Sequence, residues 1–517
     1  MFTSSKLSDK NISRMSNIEI QLKDEVTFLK SEVERLLGMV LLLRREKFGS
    51  KSERFESPDQ LVFNELEREA SALPDQSGEC ETITVTYEKK KKQGRAPKKP
   101  FPENLPREEK IIDLAESEKT CPHDGTRLKE IGEERTEKLK TIPAQSTVVV
   151  EIKKKYGCET CDGHMAQAKS NSILPGTIAT PELLAFIIYS KFFQALPLYR
   201  LEEQFKLQGI GITRGTMARW LVGLTEHLIP IYNLLQDKAF ESGYMAIDAT
   251  SVQVLKEPGR RPEKKSFMWA RGSPELGIVL FDYDPSGGGK IAKKLMEGYE
   301  GALQADAHRG YGALDQTKLK LLGCMMHSRR RFHEAFILGK KAPGYASEAL
   351  VLFKWIYDKE DSYKKLGLTP IERKEIRDRE IAPSLEAIKQ WIELRIAKVP
   401  KSSPVGNAMH YFIAEYTELT AFLSDGRYEI DNGWLERTIR KFAIGRKNWM
   451  FCDTVDGAHA SSMLYSLAIT AKLNGKNPFE ALTEIFTRLP TAKTGEDYEQ
   501  LASLLLSPHN PLSCQKK

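Results

Sequence analysis

The stretch YMAIDATSVQV, Tyr244–Val254, decides the fold of this chain. Its opening run of apolar residues reads as a buried strand, and the run ends on a carboxylate, Asp248. Two further strand-like runs follow, KSFMWARG (Lys265–Gly272) and LGIVLFDY (Leu276–Tyr283). Ser286-Gly-Gly-Gly then breaks the chain before a helix, KIAKKLMEGY. ALQAD, ending on Asp306, reads as a fourth strand, a short helix is expected around Leu314, and LKLLGCMMH reads as a fifth strand. From Ser328 the chain turns helical and basic. Three strands, helix, strand, helix, strand, helix is the order of an RNase H-like α/β fold. In that arrangement the first and fourth strands lie side by side at the centre of the sheet, and their ends bring Asp248 and Asp306 together.

A third acid, Glu436, sits in DNGWLERTIRKFAIGRKNW, a helical stretch crowded with arginine and lysine. The separations are 306 − 248 = 58 and 436 − 306 = 130 residues. The second gap exceeds one helix, so a helical insertion, roughly residues 345–424, is expected before the Glu-bearing helix. There Asn432, Glu436 and Arg440 follow one another at i, i+4 and i+8, on one face. Strand-end carboxylates joined by a third on a helix can hold two divalent cations, Mg²⁺ or Mn²⁺, of the kind that cut phosphodiesters. Taken singly, each acid has a plainer explanation. An Asp after a strand is more often a turn residue or helix cap, and Glu436 alone could be the i, i+4 partner of Arg440. Glu429, Asp431, Asp282 and Asp284 are rival ligands. His308, His327 and His333 suit structural or phosphate-facing roles better, because hard cations prefer oxygen.

With 517 residues the chain is too long for one core and suggests several domains. The formal charge of +7 is unevenly spread. Residues 51–88 carry ten acids against three bases, and KKKKQGRAPKKP (89–100) then holds seven bases. Further basic clusters are Arg329-Arg330-Arg331 and the group Arg437, Arg440, Lys441, Arg446 and Lys447. One basic run is usually a solvated face; several, one of them beside the acids, point to DNA, with Arg329, Arg330, Arg437, Arg440, Arg446 and Lys447 as phosphate contacts. No apolar stretch reaches the roughly 20 residues of a membrane span, and the N-terminus lacks a signal-peptide core. Seven cysteines suggest reduced thiols in a cytoplasmic, nucleoid-associated protein rather than a disulfide framework.

The expected organisation is multidomain. Residues 1–55 hold a coiled coil and basic tail, with Leu22, Leu29, Leu36 and Leu43 at d and Val26, Val33 and Val40 at a. That pattern favours a parallel two-stranded coil, hence a homodimer or higher oligomer, over an amphipathic helix packed on its own domain. Residues 56–110 read as a charged linker. Residues 111–170 read as a small zinc ribbon with Zn²⁺ on Cys121, Cys158 and Cys161, and Asp124 or His123 as the fourth ligand. Its strands are expected from Ser146–Tyr156. Residues 171–240 are helical, and LYRLEEQFKLQG followed by ITRGTMARWLVGL resembles a helix-turn-helix, with Thr213, Arg214, Thr216 and Arg219 on its second helix; two packed helices without DNA contact fit the pattern equally well. Residues 241–450 form the α/β core with its insertion, and 451–517 a C-terminal helical segment.

These segments closely resemble transposases of the insertion sequence 66 family over nearly the whole chain. FGSKSER, LPREE, the CPxx and CxxC pairs and LYRLEEQFKLQGI resemble its N-terminal half. IDAT, LQADAHRGY, HSRRRFHEA, IDNGWLERTIRKFAIGRKNWMF and LYSLAITAKLNGKNPFEAL resemble its core and C-terminal segments in order. The resemblance implies an aspartate-aspartate-glutamate transposase that cleaves the ends of its element and joins the 3′ ends to target DNA, with the metal roles on Asp248, Asp306 and Glu436. It also implies accessory proteins from the same element. The chain departs from the family pattern at Ala249 (usually Glu), Asp124 (usually Cys) and Gly433 (usually Asn). Two alternatives remain: a nuclease or resolvase of the same fold without strand transfer, and a non-catalytic DNA-binding regulator derived from a transposase.

Overall fold

A computed structural model describes residues 146–153, 155–157, 165–167, 171–306 and 317–507, with side chains except at 155–157 and 165–167. The heptads, the linker, Cys121, His123, Asp124, Cys158, Cys161 and the short helix expected around Leu314 lie outside these residues. The chain divides into two compact units, one of them Ser52–Gln167 and the other including Ala168–Lys517.

In the smaller unit, β1 (Lys155–Gly157) pairs antiparallel with β2 (Met165–Gln167), placing Tyr156 opposite Ala166. The longer strand expected over Ser146–Tyr156 is not formed: residues 146–153 have no regular structure. Val148, Val149, Val150 and Ile152 are exposed, and among the described residues no strand pairs with this β-branched run.

Among the described residues of the larger unit, three helices precede the sheet. α1 (Pro181–Ile188) starts where Thr180 Oγ1 accepts from Leu183 N at 3.3 Å and runs on as a π turn over Tyr189–Phe193. α2 (Leu198–Leu207) and α3 (Arg214–Glu241) are the expected helix pair, and Thr213 caps α3 by accepting from Thr216 N at 3.2 Å. The second helix is 28 residues long, far beyond a recognition helix. Trp220, Leu224, Leu228, Ile231 and Leu235 along it are buried in one core with the sheet, while Arg214 and Arg219 at its start stay exposed.

The sheet order is β5-β4-β3-β6-β7, with β8 also paired to β3. β3 (Tyr244–Lys256), β4 (Lys265–Ser273) and β5 (Ile278–Asp284) form an antiparallel meander. After α4 (Gly289–Leu295), β6 (Gly301–Gln304) returns parallel to β3, and β7 (Leu319–Leu322) parallel to β6. The expected fifth strand stops at Leu322. Cys324 is the N-cap of α5 (Met325–Leu338), so Met325, Met326 and His327 are helical rather than extended. The cause is a tertiary contact: a Cβ on Gly323 would lie 3.0 Å from backbone atoms of Glu418 and Leu419, and Gly323 N donates to Glu418 O at 2.8 Å. The chain turns there against another segment instead of extending along β6.

α6 (Tyr345–Leu366), α7 (Pro370–Ile376) with a π turn to Ile381, α8 (Ala382–Ile396), α9 (Pro404–Ala414) and α10 (Tyr416–Thr420) make up the helical insertion. It has its own apolar core of Phe332, Phe353, Ile356, Leu385, Phe412 and Phe422, which reaches the sheet through Tyr244, Ala302 and Leu322. Inside it Glu360 is buried between two arginines: Arg373 Nη2 at 2.8 Å, and Arg377 Nε at 2.8 Å. Arg377 also lies 4.9 Å over the Phe422 ring.

α11 (Gly433–Trp449) returns across the sheet, β8 (Cys452–Thr454) adds to the far end of β3, and α12 (Val455–Leu473), α13 (Pro478–Arg488) and α14 (Gly495–Ser503) close the unit. α12 covers the free edge of β5. Val279 N and Phe281 N donate to Thr470 Oγ1 (3.1 Å) and Ser466 Oγ (2.7 Å), and Asn474 Nδ2 donates to Gly277 O (3.1 Å). Ser466, Thr470 and Asn474 are spaced i, i+4, i+8, so one helix face takes the place of a neighbouring strand. No helix among the described residues is long and apolar enough to cross a membrane.

Candidate active site

The sheet brings the first two acids together by register. Ala246 is paired with Gln304 in the parallel β3–β6 ladder. Two residues further along each chain (248 − 246 = 306 − 304 = 2) stand Asp248 and Asp306, at the same level on adjacent strand paths. Both are half-buried. Asp248 Oδ1 accepts from Ala249 N at 2.7 Å. Burial pushes the Asp248 carboxyl up from 3.8 to about 7, and the negative charges of Asp306 and Glu436 push the same way against Arg330. A carboxyl titrating near neutrality in a cluster of carboxylates is characteristic of a group whose partner is a cation or a shared proton.

Glu436 reaches the pair from the first turn of α11, where its charge also complements the helix dipole. The approach of this helix is set by the segment before it. Gln304 Nε2 donates to Glu429 O (2.9 Å), Glu429 N donates to Tyr244 Oη (3.1 Å), and Met325 N donates to Ile430 O (3.2 Å). Asn432, the N-cap residue, is buried; its Nδ2 donates to Ile247 O (3.2 Å), the residue before Asp248. Asn432 O in turn accepts from Glu436 N at 3.0 Å. One side chain therefore fixes the start of α11 against the strand that carries Asp248. Glu436 Oε2 lies 3.3 Å from Arg330 Nη2, and Oε1 lies 3.8 Å from His327 Nε2. Oε1 is buried and makes no hydrogen bond. Burial and Asp431 raise the Glu436 carboxyl, with Arg330 opposing. Asp248, Asp306 and Glu436 are hard oxygen donors, the type that Mg²⁺ or Mn²⁺ takes; among the described residues, though, the donor atoms that lie within 4.8 Å of one another belong to Cys324, His327 and Glu436.

The rival carboxylates are occupied elsewhere. Asp282 is held by Arg271 (2.9 Å) and Tyr232 (2.8 Å) on the meander. Asp284 Oδ1 accepts from Ser286 N in the turn after β5. Glu429 is half-buried; desolvation pushes its carboxyl up, but Lys364 and Arg373 outweigh it and draw it down to about 2, so it is an ion-pair anchor for the insertion. Asp431 accepts from Tyr357 Oη (2.8 Å) and Gly433 N (2.9 Å) and acts on the site through its charge. A Cβ on Gly433 would lie 2.7 Å from Asp431 Oδ1, so the glycine leaves room for that carboxylate.

The basic residues separate into two groups. Arg329, Arg437 and Lys447 are exposed, and Arg440 is half-buried with its charge acting on Glu436. Arg329 stacks over Tyr357 at 5.8 Å. Arg330 pairs with Glu436. Arg446, by contrast, is turned onto β3, donating to Thr250 Oγ1 at 3.0 Å and to Ser251 O. Sequence reasoning gave Cys324 no role and treated His327 as peripheral, yet both stand beside Glu436. The signal was the CxxH spacing at a helix start, hidden inside an apolar run that read as strand.

Comparison with known proteins gives the family. Residues 176–460 match the family described as "Transposase IS66 family", and 118–162 match "zinc-finger binding domain of transposase IS66". Residues 35–109 match "Transposase C of IS166 homeodomain". Two Sinorhizobium fredii proteins, y4qI and y4jD, are similar along almost their whole length. The first is 27% identical over 491 residues, covering 91% of this chain and 88% of its own. The second is 28% identical over 500 residues, covering 92% and 96%. The match through the sheet, the insertion and the helix bearing Glu436 spans more than half of the sequence: the chain belongs to the IS66 family of transposases.

Proposed function

We propose that this transposase binds the ends of its own element, cleaves a phosphodiester at each end and joins the freed 3′-hydroxyls to target DNA. The observation that carries the reading is the shared level of Asp248 and Asp306 on adjacent strand paths, with Glu436 close enough to raise the charge cost at Asp248. The sheet order supports an RNase H-like core. Asp248, Asp306 and Glu436 would hold two divalent cations, Mg²⁺ or Mn²⁺, which supply Lewis-acid activation of the attacking and leaving oxygens when bound. The rest of the work falls to the chain itself. Asn432 keeps Glu436 at the strand ends, and Arg330 limits the repulsion among the acids. Arg329, Arg437, Arg440 and Lys447 hold the DNA backbone, and Arg446 keeps α11 on β3 as well as adding positive charge there. No Ser or Tyr nucleophile is required, because water and then the 3′-hydroxyl attack directly.

In the N-terminal half, Cys121, Cys158 and Cys161 with Asp124 or His123 would bind a structural Zn²⁺. The Leu and Val heptads would pair subunits, and the helix pair α2–α3 would contact DNA through Arg214 and Arg219. Accessory proteins of the same element and a nucleoid-associated, cytoplasmic location complete this reading. The test is an assay on labelled DNA carrying the element's ends. Wild type should cleave it only with Mg²⁺ or Mn²⁺ and should join precleaved ends to a target; Asp306→Asn should do neither. Cleavage without joining would assign a nuclease, and undiminished cleavage by Asp306→Asn would remove that residue from the site.

A further inference from the structure

Beside the three carboxylates lies a second set of donors of different chemistry. Cys324 Sγ, a ring nitrogen of His327 and a carboxylate oxygen of Glu436 lie within 4.8 Å of one another. The first two share one turn. Cys324 is the N-cap of α5 and His327 follows three residues later, so both project to the same side of the helix start. Glu436 comes from α11, across the interface that Asn432 holds closed. Two atoms of these side chains, His327 Nδ1 and Glu436 Oε1, are buried and make no hydrogen bond, which is costly unless another partner is meant for them; Oε1 lies 3.8 Å from the other ring nitrogen, Nε2. Cys324 Sγ accepts from Asn432 N at 3.3 Å, the kind of backbone donor that orients a metal-bound thiolate.

We propose that Cys324, His327 and Glu436 form a site for a borderline divalent cation of the Zn²⁺ or Co²⁺ type, distinct from the carboxylate pair. A sulfur–nitrogen–oxygen set is poorly matched to Mg²⁺ and well matched to Zn²⁺, and three protein ligands leave a fourth position open. The consequence rests on the functional reading above: a cation held here draws Glu436 away from Asp248 and Asp306, so Zn²⁺ inhibits where Mg²⁺ supports cleavage. The binding itself does not depend on that reading.

The test is a Co²⁺ titration of the full-length reduced protein, followed by thiolate-to-cobalt absorption and by bound-metal stoichiometry. Wild type and Asp248→Asn should reach the same thiolate-to-cobalt absorption. Cys324→Ser and His327→Gln should each bind one cobalt fewer, and the cysteine variant should lose thiolate absorption while keeping that of the N-terminal cysteines. Should Cys324→Ser fail to unfold cooperatively, His327→Gln decides alone. Endpoints identical to wild type in the folded variants overturn the site, and a cobalt lost only in Asp248→Asn assigns the metal to the carboxylate pair instead. In the cleavage assay, His327→Gln should need on the order of 10-fold more Zn²⁺ for half-inhibition relative to its own uninhibited rate, since weakening even an outer-shell partner typically costs that much in metal affinity. If Asp248→Asn still cleaves while the cobalt difference persists, the functional reading fails and this site stands.

Discussion

Replacing Asp248 with asparagine should make the metal-free protein more stable at pH 8 while abolishing cleavage. In the folded chain burial, with Asp306 and Glu436 adding to it, raises this carboxyl from 3.8 to about 7. A folded value above the unfolded one means that the folded state keeps a proton that the unfolded state has already lost. Wild-type stability therefore falls as pH rises from about 4 to about 7 and is level above that. The full displacement corresponds to roughly 4 kcal/mol at about 1.36 kcal/mol per pH unit. Solvent still reaches the half-buried side chain, which reduces the expected gain to about 1–2 kcal/mol. Asparagine is close to isosteric, carries no charge and can still accept from Ala249 N. At this chain length the gain amounts to about 1–2 °C in thermal midpoint. By pH 5 the gap should shrink to roughly a third, because only that part of the window has been crossed. Mg²⁺ at about 100 times its Kd should then raise wild type by roughly 2.7 kcal/mol and leave the variant nearly unmoved, reversing their order. Thermal unfolding from pH 5 to 8, with and without Mg²⁺, measures all of this. A variant less stable than wild type at pH 8, or a gap that ignores pH, would refute the crowding of the three acids.

Three other outcomes are expected. Asn432→Ala strips Ile247 O of its donor and should cost about 1–3 kcal/mol; it should slow cleavage without weakening DNA binding, and an unchanged rate would deny it the positioning role. Glu360→Gln leaves Arg373 and the fully buried Arg377 short of their counter-charge and should cost about 3–5 kcal/mol in denaturant unfolding; a loss under about 1 kcal/mol would mean that the insertion does not depend on this cluster. Arg437→Ala and Lys447→Ala, both at exposed positions, should each lower the salt-dependence slope of DNA binding by about 0.9 if each meets one phosphate, and a slope equal to wild type would place that side chain off the DNA.

Much of the sheet was legible because its strands are short apolar runs between clear breaks, as at Ser286-Gly-Gly-Gly. Asp306 could be placed because the order of elements puts the first and fourth strands side by side, and the insertion followed from the gap before Glu436. The helices between α5 and α11 begin with α6 at Tyr345 and end in a 3₁₀ turn over Ala421–Ser424. The run LKLLGCMMH misled because a buried strand and the buried first turn of a helix share one composition. The turn depends on Gly323 meeting the backbone at Glu418, almost a hundred residues away in sequence. Arg446 looked like a phosphate ligand because composition cannot show which way a helix leans. Glu429 and Asp282 are separated from Asp248 only by their neighbours: Lys364 and Arg373 from more than fifty residues away, and Arg271 from the adjacent strand.

The face of α12 that lies along β5 also bears on shortened copies of this protein. A chain ending before Val455 would keep Asp248, Asp306 and Glu436, and by its residues alone would pass for an intact enzyme. It would lack Ser466, Thr470 and Asn474, leaving the backbone donors of Val279 and Phe281 open along a hydrophobic strand. Such a strand recruits the same strand of another molecule. Truncated products should therefore accumulate as aggregates and not as soluble competitors for DNA ends.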